Sequence, residues 1–81
     1  MAQPDMRVTH YKLNWNLQDG LGTVELISSN GVVHETLELI GLDYHNYFVI
    51  VDMLRNERPV YYDRLAEELY TDPEMVGGEE G

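Results

Sequence analysis

The dipeptide Asn30-Gly31 constrains this chain more than any other feature, because it stands between two alternating segments, Thr23 to Ser28 and Val33 to Leu39. A two-residue type I′ turn needs positive φ at both central positions, and Asn-Gly is the pair that accepts this most readily. Such a turn fixes a register. With Ser29 opposite Val32, Val24 faces Leu37, Leu26 faces Glu35 and Ser28 faces Val33, while Leu39 extends the same, mostly apolar side. Thr23, Glu25 and Ile27 then share the other side with His34, Thr36 and Glu38, and a slip by one residue would exchange the two sides.

The flanking segments extend this hairpin. Tyr11, Leu13, Trp15 and Leu17 alternate with His10, Lys12, Asn14 and Asn16, the period of a strand with one face on a core, to which Trp15 then belongs. Met6 and Val8 fall on the opposite parity, so the strand begins near His10 or is interrupted by a bulge near Thr9. Asp19-Gly20 and Gly22 supply a loop between this strand and the next, giving a three-stranded antiparallel meander. Gly41 is expected to end its third strand. Asp43 is a good N-cap, with Leu42 and Tyr47 placed as a hydrophobic staple, and Pro59 enforces a stop, so a helix is expected from Tyr44 to about Asn56. Its apolar stripe, Tyr44, Tyr47, Phe48, Ile50, Val51 and Leu54, should lie across the sheet. Pro59 to Asp63 has strand composition and, with proline's missing donor, suits an edge strand. Residues 64 to 71 fit either a short helix or the return arm of a second hairpin.

The expected fold class is therefore α+β, an antiparallel β-meander with one helix packed across one face and a short C-terminal β-hairpin, in the order β-β-β-α-β-β. With 81 residues there is room for one domain, placed at 1–71, followed by an acidic Gly-rich tail at 72–81. A 43% hydrophobic and 25% charged composition is that of a globular chain. The absence of cysteine removes disulfides, thiolate metal sites and thiol nucleophiles, and points to the reducing cytoplasm. No apolar run approaches the roughly 18 residues of a membrane span, and no secretion-type segment follows Met1, so no membrane is expected among its partners.

The run Val51-Asp52-Met53-Leu54-Arg55-Asn56-Glu57-Arg58-Pro59-Val60-Tyr61-Tyr62-Asp63, with Thr71 and the tail from Glu74 to Glu80, resembles a family of small uncharacterised bacterial proteins. Those carry an LRNE-(K/R)-PV-aromatic segment and an acidic, Gly-rich C-terminal tail. Here Met75 stands where the family has proline and Gly78 where it has its first glutamate. The resemblance covers the C-terminal third and implies a β-hairpin after the helix, favouring strand for residues 67 to 71. It implies no activity.

Five Lys and Arg against fifteen Asp and Glu give a net charge of −10. The bases Arg7, Lys12, Arg55, Arg58 and Arg64 read as scattered, and without a basic patch direct nucleic-acid binding is not expected. The histidines, His10, His34 and His45, match no ligand spacing, although His10 and His34 on the polar sheet face with Glu25 and Glu38 would be a metal-compatible set. Ser28-Ser29 is turn sequence, Gly20-Leu21-Gly22 is no phosphate loop, and adjacent glutamates such as Glu67-Glu68 diverge. No enzyme, catalytic residue, cofactor or metal is expected. The remaining candidates are contact surfaces: Val49 and Met53, four residues apart on the side of the helix away from the stripe, and Tyr61 and Tyr62 on the edge strand. The favoured function is a non-catalytic protein–protein interaction or accessory module, with another protein or a second copy in a homodimer as partner. The alternatives are an acidic nucleic-acid mimic that inhibits a DNA-binding or DNA-cutting machine, with Asp52, Glu57, Asp63, Glu67 and Glu68 in a fixed array, and a small metal-dependent enzyme.

Overall fold

The computed structural model describes residues 5–73, which form β1 (Asp5–Val8), β2 (His10–Asn16), β3 (Leu21–Ser29), β4 (His34–Leu42), α1 (Tyr44–Asn56), β5 (Val60–Asp63) and β6 (Glu68–Thr71). Two antiparallel three-stranded sheets, ordered β2-β3-β4 and β1-β5-β6, share one core with the helix. The fold is α+β, as the alternating segments and the capped helix require, with one strand more than expected. The tail from 74 onward lies outside the described residues.

The parity break at Thr9 is where the chain passes from one sheet to the other. Thr9 donates its amide to the Ile27 carbonyl at 2.8 Å, and its hydroxyl oxygen accepts the Ser29 amide at 2.9 Å, so one residue pins the corner against the end of β3. Met6 and Val8 then face the shared core from β1, while Tyr11, Leu13 and Trp15 lie on the same face of β2–β3 as Leu26 and Val24, with Tyr11 and Leu13 at its exposed margin. Met6, Val24 and Leu26 are fully buried, and Leu54, Val60 and Tyr62 complete the buried cluster.

The turn at Asn30-Gly31 differs from the two-residue form. Ser29 pairs with His34, leaving four residues in the loop, and only Gly31 has positive φ, at 92°. The Asn30 side chain is the reason: its carboxamide oxygen accepts the amides of Val32 and Val33 at 2.9 and 2.8 Å, capping the loop from within and holding Asn30 out of the left-handed region. The register moves by two residues, so the expected faces survive while the partners change. Leu37 now lies opposite Leu26 and Leu39 opposite Val24, an apolar pairing better than that of the two-residue turn. Glu35 falls opposite Ser28 and accepts from the Arg64 guanidinium at 2.9 Å, tying the start of β4 to the β5–β6 turn.

Gly41, expected to end its strand, instead sits inside β4 at a register irregularity, with φ 70° in the left-handed region where glycine carries no Cβ penalty. The extra residue turns Leu42 onto the core side beside the helix start. Another glycine, Gly22, is buried, and a Cβ there would land in the ring of Tyr47, so its bare backbone is what lets the helix settle on β3.

Pro59, joined to Arg58 by a cis peptide, precedes a central strand and not an edge strand, because β1 pairs on one side of β5 and β6 on the other. The edge reading fails because the sequence around Met6 carries no mark of its partner some 50 residues away. The second hairpin forms as the resemblance implied, with Asp63 accepting the Leu65 and Ala66 amides at 2.9 and 3.1 Å across the turn.

Candidate functional site

Asp43 accepts the Asn46 amide at 2.8 Å and sets the first turn of α1, fixing how every side chain of the helix is phased. In that phase Leu54 is buried and Tyr47, Ile50 and Val51 are half-buried, whereas Tyr44 and Phe48 remain 66% and 59% exposed. Both were expected in the core. The apolar stripe is wider than the surface that covers it, and its N-terminal aromatic edge stays in solvent beside Trp15 of β2.

That edge is ordered by ring contacts. Tyr44 stacks on Phe48 with centroids 5.8 Å apart, Trp15 meets Tyr44 edge-on at 6.1 Å, and Trp15 lies tilted over Tyr47 at 5.0 Å. Trp15, half-buried, thus borders the core and continues the exposed aromatic surface from β2. Aromatic pairs in offset or edge geometry add about 0.5–1.5 kcal/mol each beyond their buried area, so these rings hold one another in place.

The other contact candidates are divided. Val49 is 47% exposed, but Met53 is half-buried beside Leu39, Leu42, Ile50 and Leu69, where it closes the groove between α1 and the two sheets. Tyr62 is buried in the core and Tyr61 stacks on Tyr70 at 5.3 Å on the opposite face of the second sheet. With β5 paired on both sides, neither tyrosine offers a free backbone to an incoming strand. On that outer face the Tyr70 hydroxyl donates to Asp5, and this bond, followed by partial desolvation and the Asp5 charge, pushes the phenol up to about 12. Burial, then the charges of Glu67 and Asp63, raise Tyr62 as well.

His10 and His34 share the outer face of the first sheet with Glu25 and Glu38, but they sit opposite Ile27 and Ser29 in different rows. Among the described residues no three His, Cys, Asp or Glu side chains converge on a point that would hold a metal ion. Of the acids proposed as an array, Asp52 is bonded to Asn56 at 2.8 Å and Asp63 is engaged in its own turn.

Arg7, Arg55 and Arg58, three of the five basic residues, border one cleft of about 450 Å³ where the end of α1 meets the β1–β2 corner. Val8, Tyr11, Leu54 and Val60 form much of the remaining wall. Arg55 and Arg58 are close in sequence, whereas Arg7 is brought to the rim of the cleft by the pairing of β1 with β5, which nothing local encodes. Arg7 pairs with Tyr61, so its side chain lies on the outer face of the second sheet, away from Val8 and Val60. No protein family, curated protein or solved structure matches this chain.

Proposed function

We propose that this protein is a non-catalytic interaction module that self-associates through the aromatic edge of α1. The observation that carries this reading is the exposed, stacked pair Tyr44 and Phe48, bordered by half-buried Trp15, which the other described residues leave mostly uncovered. Tyr and Trp are the residues most enriched at the energetic centres of protein interfaces. A row of like rings is self-complementary in offset stacking, so it suits a two-fold contact in which the same patch appears on both sides. The domain is also small, with six buried apolar side chains among the described residues, and burying more aromatic surface against a second copy supplements a core of that size.

Light scattering coupled to gel filtration tests this directly. The expected mass is twice 9.4 kDa, and Phe48→Glu is expected to return it to the monomer while retaining the folded circular dichroism spectrum, because Phe48 is outside the core. A wild-type monomer at high micromolar concentration would overturn the reading. A dimer that survives Phe48→Glu and Tyr44→Glu but dissociates with Val49→Glu would move the contact to the opposite flank of the helix.

A further inference from the structure

We propose that the open edge of β4 takes up an extended basic segment of another protein, which adds a fourth strand to the first sheet with a lysine or arginine set opposite Glu38. The order β2-β3-β4 leaves one side of β4 without a strand among the described residues. From His34 to Leu39 that edge is regular, because the pairing with β3 runs without a shift from Ser29–His34 to Val24–Leu39. Thr36 and Glu38 are exposed along it.

The edge backbone is free at alternate residues. Ile27 gives its carbonyl to the Thr9 amide at 2.8 Å, on the side of β3 away from β4. Residues of an antiparallel ladder alternately face their partner's backbone and turn from it. Ile27 and its partner Thr36 are thus a pair that exchange no bonds, and Thr36 turns its amide and carbonyl to the open side. Glu38, two residues on, does the same.

The side chains define what an incoming strand must carry. Lys12, Glu25 and Glu38 stand abreast on the outer face, one on each strand. Glu25 and Glu38 form the closer, non-hydrogen-bonded kind of pair, in which like charges destabilise, and Lys12 flanks only Glu25. Among the described residues Glu38 makes no ion pair. A cation on its vacant side therefore restores the alternation of charge across the sheet. The neighbouring residues of the added strand, opposite Leu37 and Leu39, point to the core side, where Leu39, Leu42, Ile50, Met53 and Leu69 line an apolar groove of about 290 Å³. That volume is at the lower limit of small-molecule sites, roughly 300–1,000 Å³, and suits the aliphatic side chains of a peptide. A second copy of this chain fits poorly, since β4 has two glutamates and no lysine or arginine, and each chain carries −10.

The test is a ¹⁵N-resolved NMR titration of the full chain with the peptide acetyl-Thr-Val-Lys-Val-Thr-amide, whose symmetric sequence sets lysine opposite Glu38 in either direction. Saturable shifts are expected from Thr36 to Ile40 and at Met53 and Leu69. At saturation the Thr36 and Glu38 amides should exchange with water about threefold more slowly, while those of Leu37 and Leu39, already bonded to β3, keep their rates. Replacing the peptide's lysine by glutamate should weaken binding by about fivefold, and replacing its valines by serine by about threefold. N-methylation of the lysine should abolish saturation. Glu38→Lys should reverse the preference between the lysine and glutamate peptides. Thr36→Pro removes an outward donor, a change an edge strand tolerates, and should eliminate binding. Phe48→Glu should leave it unchanged, which separates this edge from the aromatic contact of α1. Equal binding of the lysine and glutamate peptides, or shifts without alternating protection, would overturn the proposal. So would Thr36 and Glu38 amides that already exchange slowly in the free chain, since residues 74–81 or a second copy would then hold the edge.

Discussion

Tyr70 and Asp5 come from β6 and β1, the two edges of the second sheet, and their hydrogen bond spans the strand between them. The bond requires the protonated phenol, so ionisation of Tyr70 and folding oppose each other. In the unfolded chain the phenol loses its proton near its ordinary value of 10, and in the folded chain near 12. Between those values the unfolded state has released a proton that the native state still holds, so stability falls as pH rises. The contribution is intact below pH 10 and gone above about 12. Tyr70→Phe should therefore flatten the decline of the urea midpoint between pH 10 and 12. It should also remove one late-ionising phenol of six from an ultraviolet titration, leaving Tyr62 as a late one. An unchanged slope in the variant would place the alkaline loss elsewhere.

At the scale of elements, the helix shows how a correct boundary can accompany an incorrect burial assignment. Asp43 and Pro59 are local signals and set the limits of α1 without help from the rest of the fold. Which part of its broad apolar stripe is covered depends on what lies beside it, and that is decided by a second sheet whose β1 strand has only the misplaced parity of Met6 and Val8 to announce it. The same division holds for the candidate site. Arg55 and Arg58 are legible as a pair at a helix end, while Arg7 comes to the rim of the same cleft through a distant pairing. The Asn30 loop failed for a different reason: the side chain competed with the backbone geometry that the dipeptide favours, and moved the register by an even step that preserved the faces. Unequal burial along α1 gives a direct measurement. Leu54→Ala should cost about 2–5 kcal/mol, as for a buried leucine, whereas Phe48→Ala should cost less than about 1.5 kcal/mol in the monomer, since more than half of that ring is already in water. Denaturant melts at low protein concentration would compare the two, and equal losses would return Phe48 to the core.

For the molecule as a whole, net charge and contact surface act in opposite directions. Each copy carries −10, so two copies repel at long range, while the aromatic edge that would join them acts only at contact. Added salt should therefore strengthen self-association, with the dimer dissociation constant falling between about 50 and 500 mM sodium chloride; weakening over that range would indicate a contact built on ion pairs instead. The corner at Thr9 has a consequence in time. On one side of it β2, β3 and β4 are neighbours in sequence and can pair as soon as they exist. On the other side β1 must wait for β5, because the pairing of Val8 with Val60 closes a loop of about fifty residues. Pulsed amide labelling during refolding should accordingly protect Val24 to Ile27 before Arg7 and Val8. In a cell the order of manufacture makes the delay longer: β1 leaves the ribosome ahead of the other described strands, and the earliest made of them is the last to find its place.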